Sequence, residues 1–297
     1  GAPQAGIRKL NRPPASDQLR DFCQAMDAML FFETPFHWPL IEFCSGRGVK
    51  TIISVMHECM PDPVPHHPDL WLSPSLLDQQ WALERTPGYP ASTIFLPVPV
   101  EVPWRQRERA LTFVHNAGHG GLRGRNGTTE LLQALPFVKS QARFLIRTQD
   151  GILSKHWESR IGDDRVTVIS GTVPYSELWN DGDVFIFPEK FNGLSLPLQE
   201  ARAAGMLVMA TARFPTNSWL PKEPLIPEFG RVRARIGPAY SEFDESVVRP
   251  QDIAAKVDMW YGRDIREYSL AGKFWAEQMS WEGIKPQYIK AVEGLCA

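Results

Sequence analysis

Cysteine, net charge and long apolar runs are all scarce in this sequence of 297 residues. The four cysteines (Cys23, Cys44, Cys59 and Cys296) form no CxxC pair, and no histidine lies at the spacing of a zinc site. We therefore expect reduced thiols and no metal ligation. No apolar stretch reaches the ~20 residues that a membrane span requires, and the amino-terminal residues lack the apolar core of a signal peptide. These absences favour a cytoplasmic protein.

The charge balance gives no strong signal for a nucleic-acid partner. The formal net charge is −2 at pH 7, so no overall basic field points to nucleic acid. Two local basic clusters, residues 103–109 and 231–235, are predicted to be solvated loops or linkers. With 43% hydrophobic and 22% charged residues, the composition is typical of a soluble globular protein. The chain is long enough to bury one large core or two ordinary ones.

Short apolar runs alternate with helical stretches along the chain, which is typical of βαβ units and parallel sheets. In the first third we predict helices over 38–48 and 76–86. The strands predicted there cover residues 28–34, 50–58, 69–75 and 92–100. A segment rich in proline and arginine, residues 97–109, follows and is predicted to be a linker.

A second series of strands and helices begins after this segment. Its strands are predicted over residues 110–118, 142–150, 165–171, 183–188 and 207–211. Its helices are predicted over residues 128–138, 175–182 and 196–205, and the tail 265–295 is also helical. The pattern predicts an α/β protein of two Rossmann-like lobes. Ligands of such sheets bind at the carboxyl ends of the strands, and with two lobes the cleft between them is the expected site.

The loop after the predicted strand 183–188 carries an unusual set of polar residues. Its last residues, Gly193, Leu194 and Ser195, open the next helix. Free N–H groups at a helix start attract anions, and glycine allows a ligand to approach closely. Glu200 lies further into this helix, and a carboxylate can accept hydrogen bonds from both hydroxyls of a ribose. The residues therefore predict an anion site beside a ribose site.

The same residues carry a family resemblance. The segment "GTVPYSELWNDGDVFIFPEKFNGLSLPLQEARAAGMLVMAT" resembles the donor-site segment of the retaining GT-B glycosyltransferases of the large family-4 type. That family has Glu, seven residues, then Glu, written around "EGFGLPLLEAMACG". Here Asn192 stands at the first Glu, Glu200 is the second, and Gly193, Leu196 and Pro197 match. The resemblance covers most of residues 110–295 and is thin over 28–104.

The resemblance implies that Glu200 binds the donor ribose and that the loop from Asn192 to Ser195 faces the donor sugar and its phosphates. Asn192 departs from the family pattern. An amide can hydrogen-bond a sugar hydroxyl, but it places no negative charge beneath the sugar ring. Glu189 lies three residues upstream and can replace that charge only if the loop bends.

A second glycine-rich segment, residues 112–135, reads as a strand, a loop with Arg123 and Arg125, and a helix that starts near Asn126. Backbone N–H groups and arginines in this order form a phosphate cradle. In the resembled family, Arg and Lys bind the diphosphate here, and Asn126 occupies the usual Lys position. The resemblance thus implies that Arg123 or Arg125 supplies the positive charge, with Gly120 and Gly121 in the same loop. A flexible glycine loop with surface arginines is the alternative.

The remaining site residues are distributed over three strand ends. His57 ends a predicted strand of the first lobe, and the resemblance implies that it contacts the donor sugar or phosphate. The alternatives are a capping or core histidine, or Glu58 as the residue in the cleft. Arg147 is expected near the nucleotide, and Gly171 and Val173 are expected to flank the base. The expected catalytic residues are His57, Asn192 and Arg125.

The resemblance implies a GT-B architecture with an acceptor-side lobe over 1–104, a donor lobe over 105–270 and a closing helix over 271–297 that packs back on the first lobe. It implies sugar transfer from a UDP- or GDP-sugar to an acceptor hydroxyl, with retention of configuration. The expected acceptor is a glycan, a lipid-linked sugar, a small molecule or a modified nucleic acid. No Asp-x-Asp pair clearly stands where a metal would bridge the phosphates, so no metal and no further cofactor are expected. The alternatives are a GT-B scaffold that acts as a binding or assembly subunit, and a nucleotide-sugar 2-epimerase.

Overall fold

A computed structural model describes residues 21–23, 26–86, 92–118, 124–149 and 162–296 of the chain. The chain forms two compact units. The first unit contains residues 1–97, 235–241 and 286–297, and the second contains residues 98–234 and 242–285.

The first unit is built on a parallel sheet of four strands in the order β1-β2-β3-β4. The strands are β1 (Ala28–Glu33), β2 (Lys50–Val55), β3 (Leu70–Ser73) and β4 (Ser92–Phe95), with helices α1 (Pro39–Ser45) and α2 (Leu76–Arg85). Helix α2 begins at a cap, because the Ser75 hydroxyl accepts from the backbone N–H of Asp78 at 3.1 Å. Trp71 and Trp81 meet edge to face in the buried core at 5.8 Å.

The second unit is built on a parallel sheet of five strands. They are β5 (Thr112–Asn116), β6 (Arg143–Thr148), β7 (Val166–Ser170), β8 (Val184–Phe187) and β9 (Leu207–Ala210). Their spatial order is β7-β6-β5-β8-β9, which is the 3-2-1-4-5 order of a Rossmann fold. The strand order reverses between β5 and β8, and ligands of open α/β sheets bind at such a reversal.

Helices cover both faces of this sheet. Helices α3 (Thr128–Ala134) and α5 (Pro250–Trp260) pack on one face, and α4 (Leu196–Ala203) packs on the other. Helices α6 (Arg266–Met279) and α7 (Trp281–Cys296) follow in the chain. Side chains of β8 alternate between two buried clusters: Val184 and Ile186 pack with residues of α3 and α5, whereas Phe185 and Phe187 pack with α4. A strand buried on both faces reads as a continuous apolar run, which explains why the sequence "VFIF" shows no polar alternation.

The sequence pattern missed two elements of the second unit, helix α5 and an antiparallel hairpin of β10 (Gly230–Ala234) and β11 (Phe243–Val247). The prediction of a loop over residues 231–235 was wrong for most of that segment, which forms β10. Arg233 Nη1 donates to Asp244 Oδ1 across the hairpin at 2.9 Å, and such cross-strand pairs stabilise a ladder.

The linker segment 103–109 contains no helix or strand, but its prediction as solvated was wrong for Arg107, which is 1% exposed. Several predicted elements are also shorter than expected, among them the strand predicted over 92–100, which ends at Phe95. The predicted helix 175–182 contains only the 3₁₀ turn Tyr175–Glu177, and helix α3 gives way to the 3₁₀ turn Leu135–Phe137. Strand β2 ends at Val55, before a 3₁₀ turn at His57–Cys59.

Helix α7 contributes to both units, because its residues from Pro286 onward belong to the first. There the Tyr288 hydroxyl donates to the Pro97 carbonyl at 2.9 Å. In the part of the chain that the structure describes, no helix combines the length and apolarity needed to cross a membrane.

Candidate functional site

The candidate site lies in the second unit, at the carboxyl ends of β5 and β8 where the strand order reverses. The loop after β5 leads into α3, and the loop after β8 leads into α4. Three residues predicted to bind the donor phosphates, Gly120, Gly121 and Arg123, lie outside the described residues. The other predicted donor-site residues are described, and the loops at this reversal contain most of them.

Glu189 is the buried centre of the loop between β8 and α4, with 0% of its surface exposed. Its Oε2 accepts from the Ser195 hydroxyl at 2.6 Å, and its Oε1 accepts from the Thr216 hydroxyl at 3.0 Å. Arg213 Nη1 lies 3.9 Å from Oε1. Burial raises the pKa of Glu189, against the opposing effects of Arg213 and the two hydroxyls. The carboxyl group therefore faces the inside of the loop and organises it, whereas the sequence placed it among the donor-binding residues.

Asn192 and Ser195 fix the turn into α4. Asn192 Oδ1 accepts from the backbone N–H of Ser195 at 2.9 Å, and the Asn192 carbonyl accepts from Arg213 Nη1 at 2.7 Å. Ser195 has φ 48° and ψ 52°, the left-handed region that is unfavourable for a residue with a Cβ. Its hydrogen bond to Glu189 holds this conformation, and strain of this kind concentrates at functional sites. Gly193 is buried and Leu194 is half-buried in the same turn.

The loops after β5 and after β8 contact each other through backbone atoms. Gly127 precedes α3 with φ 70°, and a Cβ on it would lie 2.0 Å from the carbonyl oxygen of Pro188. The N–H of Lys190 donates to the Arg125 carbonyl at 2.9 Å. Asn126 Nδ2 donates to the Ala117 carbonyl at 2.9 Å, which ties the two ends of the glycine-rich loop together. Only glycine allows the loops to approach so closely at residue 127.

Basic side chains accompany both loops. The guanidinium carbon of Arg125 lies 5.0 Å from the ring centroid of Phe191. Lys190 Nζ lies 2.8 Å from Glu130 Oε1 and 3.9 Å from Glu245 Oε1, so this lysine is held by carboxylates. Arg125, in the loop after β5, thus lies beside Phe191 of the loop after β8, and its role in binding phosphate stays a prediction.

His115 joins β5, β8 and α3 directly behind the site, and no sequence pattern predicted this role. Its Nδ1 donates to the Ile186 carbonyl at 2.9 Å, and its Nε2 accepts from the Thr128 hydroxyl at 2.8 Å. The carbonyl can only accept, so the proton of the neutral ring lies on Nδ1. Burial lowers the pKa of His115 to about 4.

This histidine makes the stability of the second unit sensitive to pH. Below about pH 6.5 the unfolded chain takes up a proton that the folded protein excludes until about pH 4, so the free energy of unfolding falls as pH drops through this window. A shift of this size corresponds to about 3 kcal/mol. Urea unfolding from pH 7.5 to 4 measures the slope. His115→Asn, whose amide can still donate to the Ile186 carbonyl, should lack this contribution; equal slopes in both proteins would contradict the assignment.

Glu200 lies half-buried in the second turn of α4, and its Oε1 accepts from the Tyr175 hydroxyl at 2.9 Å. Burial raises the pKa of Glu200, and the hydrogen bond from Tyr175 opposes this effect. Burial beside this carboxylate also raises the pKa of Tyr175 to about 12. Tyr175 was not among the predicted site residues, although it comes two residues after Val173 in the segment expected near the base.

Two buried arginines hold the turn that follows Tyr175. Arg147 Nη1 donates to the Leu178 carbonyl at 2.5 Å, and its Nη2 donates to Asp181 Oδ2 at 2.8 Å. Arg107 donates to the carbonyls of Trp179 at 2.6 Å and of Asn180 at 3.1 Å. A buried guanidinium requires such acceptors. Arg147, expected near the nucleotide, therefore uses its guanidinium to support this turn.

Gly171 and Val173 lie just after β7, and their place beside the base stays a prediction. Gly171 is exposed with φ 113°, and its N–H donates to the Thr148 carbonyl at 2.9 Å. Val173 is half-buried. The backbone of these two residues therefore lies directly before the turn that carries Tyr175.

His57 belongs to the first unit, where it is buried just after β2. Its Nδ1 donates to Asp78 Oδ1 at 2.9 Å and lies 3.2 Å from Glu58 Oε2. The ligand atoms of these three residues all lie within 4.8 Å of one another, close enough to hold a metal ion. However, both oxygens of Asp78 already accept hydrogen bonds from the chain, Oδ2 from the Ser75 hydroxyl at 2.5 Å. The closeness of these three residues is therefore explained without a metal, because Asp78 bonds to the cap of α2 and orients His57.

Comparison with known proteins shows the fold. No protein-family model and no curated protein matches the sequence. The chain is similar in structure to a glycosyltransferase from Rickettsia africae, with a TM-score of 0.67 and 10% identity over 97% of this chain and 84% of that one. It is similar to Anabaena HepE in complex with UDP and glucose, with a TM-score of 0.63 and 9% identity over 94% and 82% of the two chains.

A third similar structure is the pneumococcal O-GlcNAc transferase GtfA in complex with UDP and GlcNAc, with a TM-score of 0.62 and 14% identity over 93% of this chain. The chain spans 59% of the length of GtfA. At these identities the likeness concerns the fold. It confirms the sequence prediction of an α/β protein of the GT-B type with two Rossmann-like lobes.

Proposed function

We propose that this protein is a glycosyltransferase that moves a sugar from a nucleoside diphosphate donor, a UDP- or GDP-sugar, to an acceptor hydroxyl. The observation that carries the proposal is the half-buried carboxylate of Glu200 at the reversal point of a sheet in Rossmann order. The fold supports it, since two of the similar structures contain UDP with a sugar.

Each part of the site has a proposed role. Glu200 accepts hydrogen bonds from the ribose hydroxyls, and the turn of Asn192 and Gly193 faces the sugar and its phosphates. When the bond between the sugar and the phosphate oxygen breaks, its electron pair stays on the diphosphate. The acceptor oxygen forms the new bond to the sugar, and its proton passes to the departing diphosphate oxygen. Arg125 stabilises the charge that develops on the diphosphate, with Arg123, Gly120 and Gly121 proposed for the same loop.

His57 of the first unit remains a proposed catalytic residue that contacts the donor sugar or phosphate. Because Nδ1 donates to Asp78, the orientation of the ring is fixed, and Nε2 is the nitrogen proposed to contact the substrate. We further propose residues 1–104 as the acceptor-side lobe, residues 105–270 as the donor lobe and residues 271–297, which hold the end of α6 and all of α7, as the closing helical segment. The acceptor class stays open among glycans, lipid-linked sugars, small molecules and modified nucleic acids.

We also propose that transfer retains the anomeric configuration, needs no metal and takes place in the cytoplasm. Proton NMR of the product gives the configuration at the new glycosidic bond. Assays with excess EDTA test the metal requirement, and loss of transfer in EDTA that Mg²⁺ or Mn²⁺ restores would contradict metal independence.

Thermal unfolding with UDP, GDP, ADP, dTDP and CDP, without added metal, tests the donor site. One nucleotide at 100 times its Kd should add about 2.7 kcal/mol to the free energy of unfolding. Glu200→Ala should lose this stabilisation, because the ribose hydroxyls lose their acceptor. The control is Glu177→Ala, which removes an exposed carboxylate from the neighbouring turn and should leave the stabilisation unchanged. If no nucleotide stabilises the wild-type protein, the proposed donor site is wrong.

A binding or assembly subunit on the same scaffold is the second candidate. Asn192 favours it, because this residue carries no charge and its Oδ1 is occupied by the Ser195 N–H. Such a protein would not transfer sugar from any donor. A 2-epimerase, the remaining alternative, would convert a nucleotide sugar in the absence of an acceptor, which the same NMR experiment detects.

A further inference from the structure

Tyr175 presents an aromatic surface that is both fixed and exposed. Its hydroxyl is bound to Glu200 at 2.9 Å, yet 54% of the residue remains accessible to water. The 3₁₀ turn around it is closed by backbone bonds, from the Glu177 N–H to the Pro174 carbonyl at 2.9 Å and from the Leu178 N–H to the Tyr175 carbonyl at 3.3 Å. A ring anchored at both ends loses little conformational freedom when a planar ligand packs against it.

The turn behind this ring is unusually well supported. Three successive carbonyls, from Leu178 to Asn180, accept hydrogen bonds from the buried guanidinium groups of Arg147 and Arg107. Burial lowers the pKa of Arg107 to about 10, so the group stays charged at neutral pH. Burying two guanidinium groups costs free energy. This cost is understandable if the turn has to hold Tyr175 in a fixed position.

The location of Tyr175 beside Glu200 places it near the nucleoside part of a bound nucleotide. In a nucleoside the base is attached to the ribose carbon that neighbours the 2′-hydroxyl. A side chain in direct contact with the carboxylate that would hold the ribose hydroxyls is therefore adjacent to the nucleoside and not to the diphosphate. Aromatic rings stack on bases with little preference for base identity, because every base has a π-face.

We infer that Tyr175 is the stacking platform for the nucleoside of the donor, and that Arg107 and Arg147 are positioning residues that hold the turn on which it stands. The inference rests on the proposed function, since it concerns the same donor site. It adds the residue that contacts the nucleoside. It also assigns the two arginines a role in positioning that residue.

Isothermal titration calorimetry with UDP, GDP and inorganic pyrophosphate tests the platform on the whole protein. Tyr175→Ala should weaken the binding of the nucleotide that the wild type prefers by about tenfold or more, the typical loss on removing an aromatic ring that stacks on a base. Tyr175→Phe keeps the ring and should stay within about threefold of the wild type. Pyrophosphate has no nucleoside, so its binding should not change in either variant.

Phe137→Ala is the matched control, because Phe137 is an aromatic residue in another 3₁₀ turn of the same unit and is 47% exposed. It should leave all three affinities unchanged. If the wild type binds UDP or GDP and Tyr175→Ala binds it equally well, the platform is wrong while the donor site stands. Equal losses for the nucleotide and pyrophosphate also overturn the platform, because they indicate a general disturbance. If neither nucleotide binds the wild type, the proposed function fails together with the platform.

Discussion

Replacement of Glu189 with alanine is expected to lower the free energy of unfolding by about 3–5 kcal/mol, the usual cost of removing one partner of a buried ion pair. The carboxyl group is enclosed, and it accepts hydrogen bonds from the Ser195 and Thr216 hydroxyls. Without it, these hydroxyls lose their acceptor and the buried Arg213 loses its carboxyl neighbour. The left-handed turn at Ser195 also loses the bond that holds it.

Urea unfolding at pH 7 measures this loss. Glu189→Gln keeps two polar atoms at the same place and should cost less than the alanine variant. Asp244→Ala is the control, because it removes a carboxylate whose partner, Arg233, is exposed, and exposed pairs contribute about 0–1 kcal/mol. An alanine variant at residue 189 that is as stable as the Asp244 variant would show that the loop does not depend on this carboxyl group.

Gly127→Ala is expected to destabilise the protein and to weaken nucleotide binding, for two separate reasons. A φ of 70° costs a residue with a Cβ about 1–2 kcal/mol. In addition, the new methyl group would lie 2.0 Å from the Pro188 carbonyl oxygen, so backbone has to move, at about 1–3 kcal/mol. The movement displaces the loop after β8 from the loop after β5, which is why binding should suffer as well as stability.

Gly262→Ala separates the two reasons. Gly262 has φ 76° in the same unit, and a Cβ on it would meet nothing within 4 Å. This variant should therefore show the backbone cost alone and bind nucleotide like the wild type. Chemical unfolding and calorimetric titration of both variants give the comparison. Equal stability and equal affinity in the two variants would mean that the close approach at residue 127 does not position the site.

Local signals in the sequence were sufficient for most of the sheet and for part of the site. The apolar runs of β8 and β9 are buried on both faces, so composition alone marks them. The hairpin was missed for the opposite reason. Strand β10, "GRVRA", has a single large apolar residue, Val232, and that residue is exposed. This strand is defined by its pairing with β11, and its sequence has no hydrophobic face from which a strand could be predicted.

The parts of the site that could not be predicted depend on contacts between residues far apart in sequence. Glu200 stands in a local motif, so its place in the helix after β8 could be predicted from the sequence. His115 bonds to a carbonyl 71 residues away, and Arg107 bonds to carbonyls 72 and 73 residues away. Such a partner depends on strand order and on burial, and neither the spacing nor the composition around Arg107 distinguishes it from a solvated arginine.

The division of the chain between its two units limits how either could be exchanged in evolution or in the laboratory. The chain passes from one unit to the other at residues 97/98, 234/235, 241/242 and 285/286. A gene fragment ending at residue 97 would omit Ser241, whose hydroxyl accepts from Trp81 Nε1 at 3.1 Å, and Tyr288, which bonds to the Pro97 carbonyl. Recombination that replaces the first unit with that of another protein therefore has to bring three separate stretches of gene at once.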